Sequence, residues 1–272
     1  MKVGVVGTGN MGSALVNGWL RSADAGVDLL VWDKVEASIL CLPASERISR
    51  AGSLQDLAAK ADVVMIVVKP KDAGEVLGAI AGRVGEDRTV ISAMAGVTIG
   101  WMRTVLGPGP ALFRIMPNLG VEFGVGAVAL ASEPAADEAD IQAVMKLLEP
   151  LGYVEAVPED LLDVVTAVSG SGPAFLALAI EALEDGAVAA GLSRPAARTL
   201  VRQAALTTAR LLPLYSDSPF ELRKHLTESG DMDPAGVEVL EDREVRSAFR
   251  RAVDTAMERS RRLQDAGPEP ER

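Results

Sequence analysis

This chain of 272 residues is almost without the side chains that build metal and redox sites: it has one cysteine, Cys41, and one histidine, His225. A lone cysteine excludes an internal disulfide and suits a reducing cytosol. One residue of each kind also leaves little material for a zinc or iron site, so no metal is expected. Basic residues are outnumbered, and the net charge of −11 argues against a nucleic-acid or anionic-membrane partner. Any phosphate bound here has to be held largely by backbone N–H groups. Long apolar runs are missing as well. The start, Met1-Lys2 followed by apolar residues, has the look of a signal peptide, but Gly7, Gly9, Asn10 and Gly12 interrupt it. With no segment of transmembrane length after it, the expected location is the cytoplasm. What remains, 49% hydrophobic and 24% charged residues, is ordinary for one large or two medium globular domains.

The first motif stands at the N-terminus. Lys2 to Gly7 reads as a short buried strand, followed by Gly7-Thr8-Gly9-Asn10-Met11-Gly12 and a helix carrying Ala14, Leu15, Trp19 and Leu20. GxGxxG between a strand and a helix is the dinucleotide-binding pattern. Gly7 makes the tight turn, Gly9 lets a pyrophosphate approach, and Gly12 allows close helix packing, with the helix N-terminus facing the phosphates. A second strand, Val27 to Asp33, ends in an acid about twenty residues on, where a ribose-binding acid belongs. Asp33 favours a free 2′-hydroxyl, whereas Lys34 beside it suits a 2′-phosphate; alternatively the pair is an ordinary solvated strand end. The cofactor is therefore NADPH or NADH, with a slight lean to NADPH.

Apolar strands then recur at Asp62–Val68, Arg88–Met94, Pro110–Met116, Gly126–Ala131 and Gly152–Val157, continuous runs of the kind that parallel strands buried on both faces show. Ligands in open α/β sheets lie beyond the carboxyl ends of the strands. Val68-Lys69-Pro70, Ala95-Gly96 and Met116-Pro117-Asn118 all fall at such ends and together outline a cleft. Pro158 marks the domain boundary: a Rossmann doubly wound sheet over 1–158, then a helical domain over 159–264, with 265–272 a polar, proline-bearing tail expected to be disordered. In the second half the helical patterns cover 159–168, 173–191, 194–215, 218–226, 235–241 and 243–264. The run opened by Ser169-Gly170-Ser171-Gly172-Pro173 is apolar nearly all round, which reads as a buried spine. Its small residues make either a tight turn or a place where a ligand or another backbone comes close.

With both ends in view, the chain resembles the Δ1-pyrroline-5-carboxylate reductases, on GTGNMG, Val68-Lys69-Pro70, Ile91-Ser92-Ala93-Met94-Ala95-Gly96, Met116-Pro117-Asn118 and the SGSGPAF helix with Glu181 and Gly191. The resemblance spans nearly the whole length. It implies a Rossmann domain joined to an all-helical dimerisation domain, reduction of a cyclic imine to proline with NAD(P)H, and a homodimer that often builds larger rings. On it, Gly7, Gly9, Asn10, Met11, Gly12, Asp33, Lys34, Val68, Lys69, Pro70, Ala95 and Gly96 would hold the cofactor. Met116, Pro117, Asn118, Ser171, Gly172, Glu228, Gly230, Asp231, Met232 and Asp233 would meet the substrate. The residues support the chemistry separately. Ketone reduction needs a general acid for the alkoxide, and the related β-hydroxyacid dehydrogenases put a lysine in the first turns of the long helix. Here Leu176 holds that place and no lysine occurs between Lys146 and Lys224. An iminium already carries its proton, so a placed hydride and a shaped pocket suffice.

The chain departs from the family in Leu226 to Gly236. Where the family has a Ser/Thr-, Pro- and Gly-rich loop whose hydroxyls hold the substrate carboxylate, Glu228 and Asp233 stand at the serine and threonine, and Asp231 replaces a glycine. Leu54 stands where the family often has an asparagine near the adenosine. Either the loop is a solvated acidic turn, or the pocket is retuned toward a cationic or uncharged imine. In the latter case Glu228 and Asp233 would stabilise the iminium, so they join His225 as candidate catalytic residues. His225 is either a surface histidine or a neighbour of the nicotinamide. A dinucleotide-binding protein without turnover is the third reading.

Overall fold

The structure, a computed structural model, describes residues 1–134, 136–228 and 234–265, apart from the side chains of Asp24, Glu228 and residues 263–265. The chain divides into two compact units, 1–170 with 255–272, and 171–254.

The first unit is built on an eight-stranded sheet. Its strands are β1 (Lys2–Val6), β2 (Asp28–Trp32), β3 (Ile48–Arg50), β4 (Val63–Ile66), β5 (Thr89–Ser92), β6 (Ala111–Pro117), β7 (Gly126–Ser132) and β8 (Gly152–Ala156). The order is β3-β2-β1-β4-β5-β6-β7-β8, so the chain starts in the middle and winds outward both ways. Helices α1 (Asn10–Arg21), α3 (Leu54–Lys60), α4 (Ala73–Ile80), α5 (Ile99–Leu106) and α6 (Glu138–Leu148) join the strands; the short α2 (Glu36–Leu40) precedes β3. Two buried clusters flank the sheet. One gathers Val3, Val5, Leu15, Trp19, Phe113 and Leu148; the other gathers Val64, Ile66, Leu77, Ile80 and Met102. The Trp19 indole N–H donates to the Leu147 carbonyl at 2.9 Å, satisfying the one polar atom its burial would otherwise strand.

Two features of the sheet differ from what the sequence predicts. β3 is not among the expected strands, because it is three residues long and only Ile48 is apolar. β7 runs antiparallel to β6, with Ile115 opposite Leu130. The connection between them, residues 118–125, is too short for a crossover, so the chain has to fold straight back.

The helical half follows the expected pattern closely. After α7 (Leu162–Val165) and a π-turn over Thr166–Gly170 come α8 (Gly172–Ala189), α9 (Arg194–Leu211), α10 (Pro219–Glu228), α11 (Ala235–Asp242) and α12 (Val245–Asp265). The Ser193 hydroxyl caps α9 and Pro195 sits in its first turn. The compact units part at Gly170 rather than at Pro158, because α7 stays with the sheet: Leu162 packs on Ala129 and Ala131, and buried Asp163 accepts from the Ser260 hydroxyl at 2.7 Å. Arg114, only 3% exposed on β6, pairs with Glu159 at 2.8 Å. The same carboxylate oxygen accepts from the Ile99 N–H at 2.8 Å.

Two expectations about the long apolar helix are overturned. The composition of the long apolar helix predicts a buried spine, yet no residue of α8 is buried within this chain. Leu176, Leu178 and Leu183 are 62%, 68% and 60% exposed. Moreover, Glu159–Ala189 has the length and hydropathy of a membrane span, contrary to the expectation that no such stretch occurs. Length and hydropathy of this kind are shared by the core helices of soluble proteins. The segment 265–272, expected to be a disordered tail, lies outside the described residues except for Asp265, which ends α12.

Candidate functional site

The glycine loop is built by close approaches. Gly7, at φ +94°, turns the chain off β1 in the left-handed region that favours glycine, and its N–H donates to the Trp32 carbonyl at 2.9 Å. A Cβ on Gly12 would run into the carbonyl oxygen of Gly7, and one on Gly7 would lie 2.7 Å from the Val67 carbonyl oxygen. Gly9 is different: a Cβ there would meet nothing within 4 Å. It is exposed, and it is the N-cap of α1, where no side chain supplies a capping bond. The first N–H groups of α1, on Asn10, Met11 and Gly12, have no partner within the helix, and the helix dipole favours an anion in front of them. A side chain at Gly9 would project into open space in front of the α1 N-terminus.

Beside this loop lies a cleft of about 250 Å³. Gly7, Gly9, Asp33, Lys34, Val68 and Lys69 line it, all of them expected at the cofactor. Trp32, Val35, Leu54, Val67, Lys71, Asp72, Glu75 and Val76 complete the wall. Of these, Leu54 is the position that departs from the family, and the others carry no local signal in the sequence that marks them as cleft residues. Asn10, Met11, Gly12, Pro70, Ala95 and Gly96 do not line this cleft. Asn10 is exposed at the start of α1 and Gly12 is buried behind it. Gly96 makes a left-handed turn (φ +78°) after β5.

Asp33 closes β2 as expected, with both carboxylate oxygens engaged. Oδ2 accepts from the Thr8 N–H at 2.6 Å and its hydroxyl at 3.2 Å, and Oδ1 accepts from the Val35 N–H at 2.8 Å. The acid thus ties the glycine loop to the strand end. Its neighbour Lys34 reaches across the cleft to Asp72, 2.6 Å from Nζ to Oδ1. The hydrogen bond to Asp72 pushes the Lys34 ammonium up from its ordinary pKa, helped by the charges of Asp72, Glu75 and Asp33. Asp72 is held below the usual carboxylate range by its hydrogen bond from Lys34, with Lys71 and Lys69 adding to the effect.

At the end of β6, Met116 is half-buried and Pro117 buried. Asn118 is fully employed in structure. Its Nδ2 donates to the carbonyl and hydroxyl oxygens of Ser169 at 3.2 Å, and its Oδ1 accepts from the N–H groups of Gly120 at 3.1 Å and Ala127 at 3.2 Å. It pins the π-turn to the sheet, a device that sequence periodicity does not reveal. π-turns recur at functional sites, and this one leads straight into Ser171, the N-cap of α8, and Gly172, its first residue. Those two, with His225, belong to the second unit. His225, exposed on α10, stacks on Tyr215 with ring centroids 4.8 Å apart. The expected substrate and catalytic residues Gly230, Asp231, Met232 and Asp233 lie outside the described residues, as does the side chain of Glu228. No group of three or more potential metal ligands occurs among the described residues.

Comparison with known proteins identifies the family of the chain. A family profile described as pyrroline-5-carboxylate reductase dimerisation matches residues 159–263, and one described as NADP oxidoreductase coenzyme F420-dependent matches residues 2–96. Among curated relatives, the pyrroline-5-carboxylate reductase of Methanosarcina acetivorans is 32% identical over 96% of this chain and 97% of its own. That of Synechocystis is 34% identical over 97% and 98%. Among solved structures, the Plasmodium falciparum pyrroline carboxylate reductase with NADP bound superposes with a TM-score of 0.82, at 28% identity over 97% and 98% of the two chains. The Coxiella burnetii pyrroline-5-carboxylate reductase reaches 0.86, at 27% identity over 96% and 97%.

Proposed function

This chain belongs to the pyrroline-5-carboxylate reductase family, and from that premise we propose that it reduces Δ1-pyrroline-5-carboxylate to proline with NADPH or NADH. The observation that carries the reading is the glycine cradle, where Gly9 leaves open space at the N-terminus of α1 in a chain that matches reductases end to end. The bound nicotinamide cofactor supplies the hydride. The chain's part is to hold the cofactor's phosphates on the first turn of α1, to brace the loop through Asp33, and to present the imine carbon to the hydride. No lysine between Lys146 and Lys224 offers a proton, and an iminium nitrogen, already protonated, needs none. The family resemblance assigns Met116, Pro117, Ser171, Gly172 and residues 228–233 to the substrate, with the helical domain pairing two copies. Cys41 is exposed with a free thiol, which suits the reducing cytoplasm.

The acidic residues at 228, 231 and 233 favour a second reading, a relative that takes a cationic or uncharged imine. One experiment tests both: NAD(P)H oxidation measured against cyclic imines with and without a carboxylate. Turnover of pyrroline-5-carboxylate alone supports the first reading, turnover only of carboxylate-free imines supports the second, and no turnover of either leaves a nucleotide-binding protein.

A further inference from the structure

We propose that Asp72 sets the cofactor selectivity of this chain, acting through Lys34 as a positioning residue that weakens the hold on a 2′-phosphate. The proposal rests on the reading of the cleft as a dinucleotide site. Lys34 directly follows the acid that closes β2, on the wall where the 2′ position of an adenosine ribose would lie. A 2′-phosphate needs an uncommitted cation there, and a lysine supplies one as a compact point charge with three donors. Here that charge is already committed, 2.6 Å from Asp72.

The two partners are unequal in freedom. Asp72 is largely covered, its side chain 17% exposed against 55% for Lys34. It ends the turn Pro70–Asp72 that leads into α4, and its N–H is fixed on the Lys69 carbonyl at 2.9 Å. The lysine therefore comes to the aspartate. Glu75, one turn further along α4, also faces the cleft. The hydrogen bond from Lys34 holds the Asp72 carboxyl below the usual carboxylate range, with Lys71 and Lys69 adding to the effect. A phosphate brought to Lys34 thus meets an ammonium already engaged by Asp72, whereas an uncharged 2′-hydroxyl does not depend on that charge. Asp72 narrows whatever preference for NADPH Lys34 alone would give.

The test is calorimetric titration of the full chain with 2′,5′-ADP and 5′-AMP. Asp72→Asn keeps an oxygen acceptor for Lys34 but removes the charge. It should tighten 2′,5′-ADP by roughly tenfold while leaving 5′-AMP within about twofold, and Asp72→Glu should behave as the parent protein. Lys34→Met should weaken 2′,5′-ADP selectively and cancel the effect of Asp72→Asn when the two are combined. Equal changes for both nucleotides, or an Asp72→Asn effect that survives in the Lys34→Met background, would overturn the proposal. So would a Lys34→Met variant that binds both nucleotides as the parent does, an outcome that decides the matter even if Asp72→Asn fails to fold. If the parent protein binds neither nucleotide, the dinucleotide reading falls and takes the proposal with it. If it binds both and Asp72→Asn changes nothing, only the proposal falls.

Discussion

The two compact units put the same kind of residue to opposite use. In the first, most of the Leu, Val and Ile on the central strands and their flanking helices are buried in two clusters, and Trp19, Phe113, Leu57 and Ile91 are wholly covered. In the second, the largely apolar α8 has no buried residue: Leu176, Leu178, Leu183 and, on α9, Leu200 are exposed. An exposed apolar face of this extent marks an interaction surface rather than a finished core. The first unit is therefore complete within one chain, while the second is one side of an interface. The dimerisation profile that matches residues 159–263 fits that contrast. A second copy pairing on this face would add hydrophobic stabilisation at about 25 cal/mol per Å² buried.

Breaking the pairing should have the largest effect. Leu178→Glu with Leu183→Glu puts two charges on the exposed face of α8, where a monomer would tolerate them with changes within about 0.5 kcal/mol. In a dimer they would be buried without partners, and we expect the dissociation constant to rise at least about a thousandfold, roughly 4 kcal/mol. Light scattering across a concentration series checks this. A parent protein that is monomeric at micromolar concentration would remove the distinction between the units altogether.

Next come two glycines of one motif. A Cβ on Gly12 runs into the Gly7 carbonyl, so Gly12→Val should destabilise the first unit by about 3 kcal/mol or more, visible as a lowered Tm. Gly9 faces open space, so Gly9→Val should leave the Tm within a few degrees yet abolish dinucleotide binding. Wild-type affinity in the Gly9 variant, measured by calorimetry, would move the site elsewhere.

The different tasks of those two glycines are legible in the GxGxxG spacing; the structure adds the distances, a Gly12 Cβ running into the Gly7 carbonyl and a Gly9 Cβ meeting nothing within 4 Å. Other features are less evenly legible. Helix boundaries in the second half are readable from caps and periodicity, as Ser193 and Pro195 show. The direction of β7 follows from the shortness of the 118–125 connection rather than from the apolar run itself, and β3 has too few apolar residues to register. The outward face of α8 is not legible because a buried helix and a pairing helix have the same composition. Lys34 stands out by its place beside Asp33, whereas its partner Asp72 is 38 residues away, beyond any local pattern.

A smaller effect should come from the ion pair that fastens α7's side of the chain to the sheet. Arg114 is almost fully buried, and Glu159 serves both its guanidinium and the N–H of Ile99. Removing the acid leaves a buried cation and an unpaired donor. Glu159→Ala should cost about 2 to 3 kcal/mol by denaturant unfolding, below the full penalty for breaking a buried pair because Glu159 is itself 30% exposed. Replacing both partners, Arg114→Met with Glu159→Ala, should recover part of that loss. If the double variant is no better than the single one, the cost lies with the Ile99 N–H rather than with the stranded charge.

The last and smallest effect concerns the acidic residues between 228 and 233. Glu228 and Asp233 stand where the family carries hydroxyls for the substrate carboxylate. Ionised carboxylates lining the pocket would repel pyrroline-5-carboxylate and favour a protonated imine. On that footing Glu228→Ser with Asp233→Thr should raise kcat/KM for pyrroline-5-carboxylate at least about tenfold, or about 1.4 kcal/mol. The gain should be absent for an imine lacking the carboxylate, since no anion is then repelled. A parent protein that already turns over pyrroline-5-carboxylate efficiently, with little change on double substitution, would mean that the carboxyl groups point into water. Backbone N–H groups alone would then hold the substrate carboxylate, and this chain would reduce the same imine as its relatives with a loop of opposite charge.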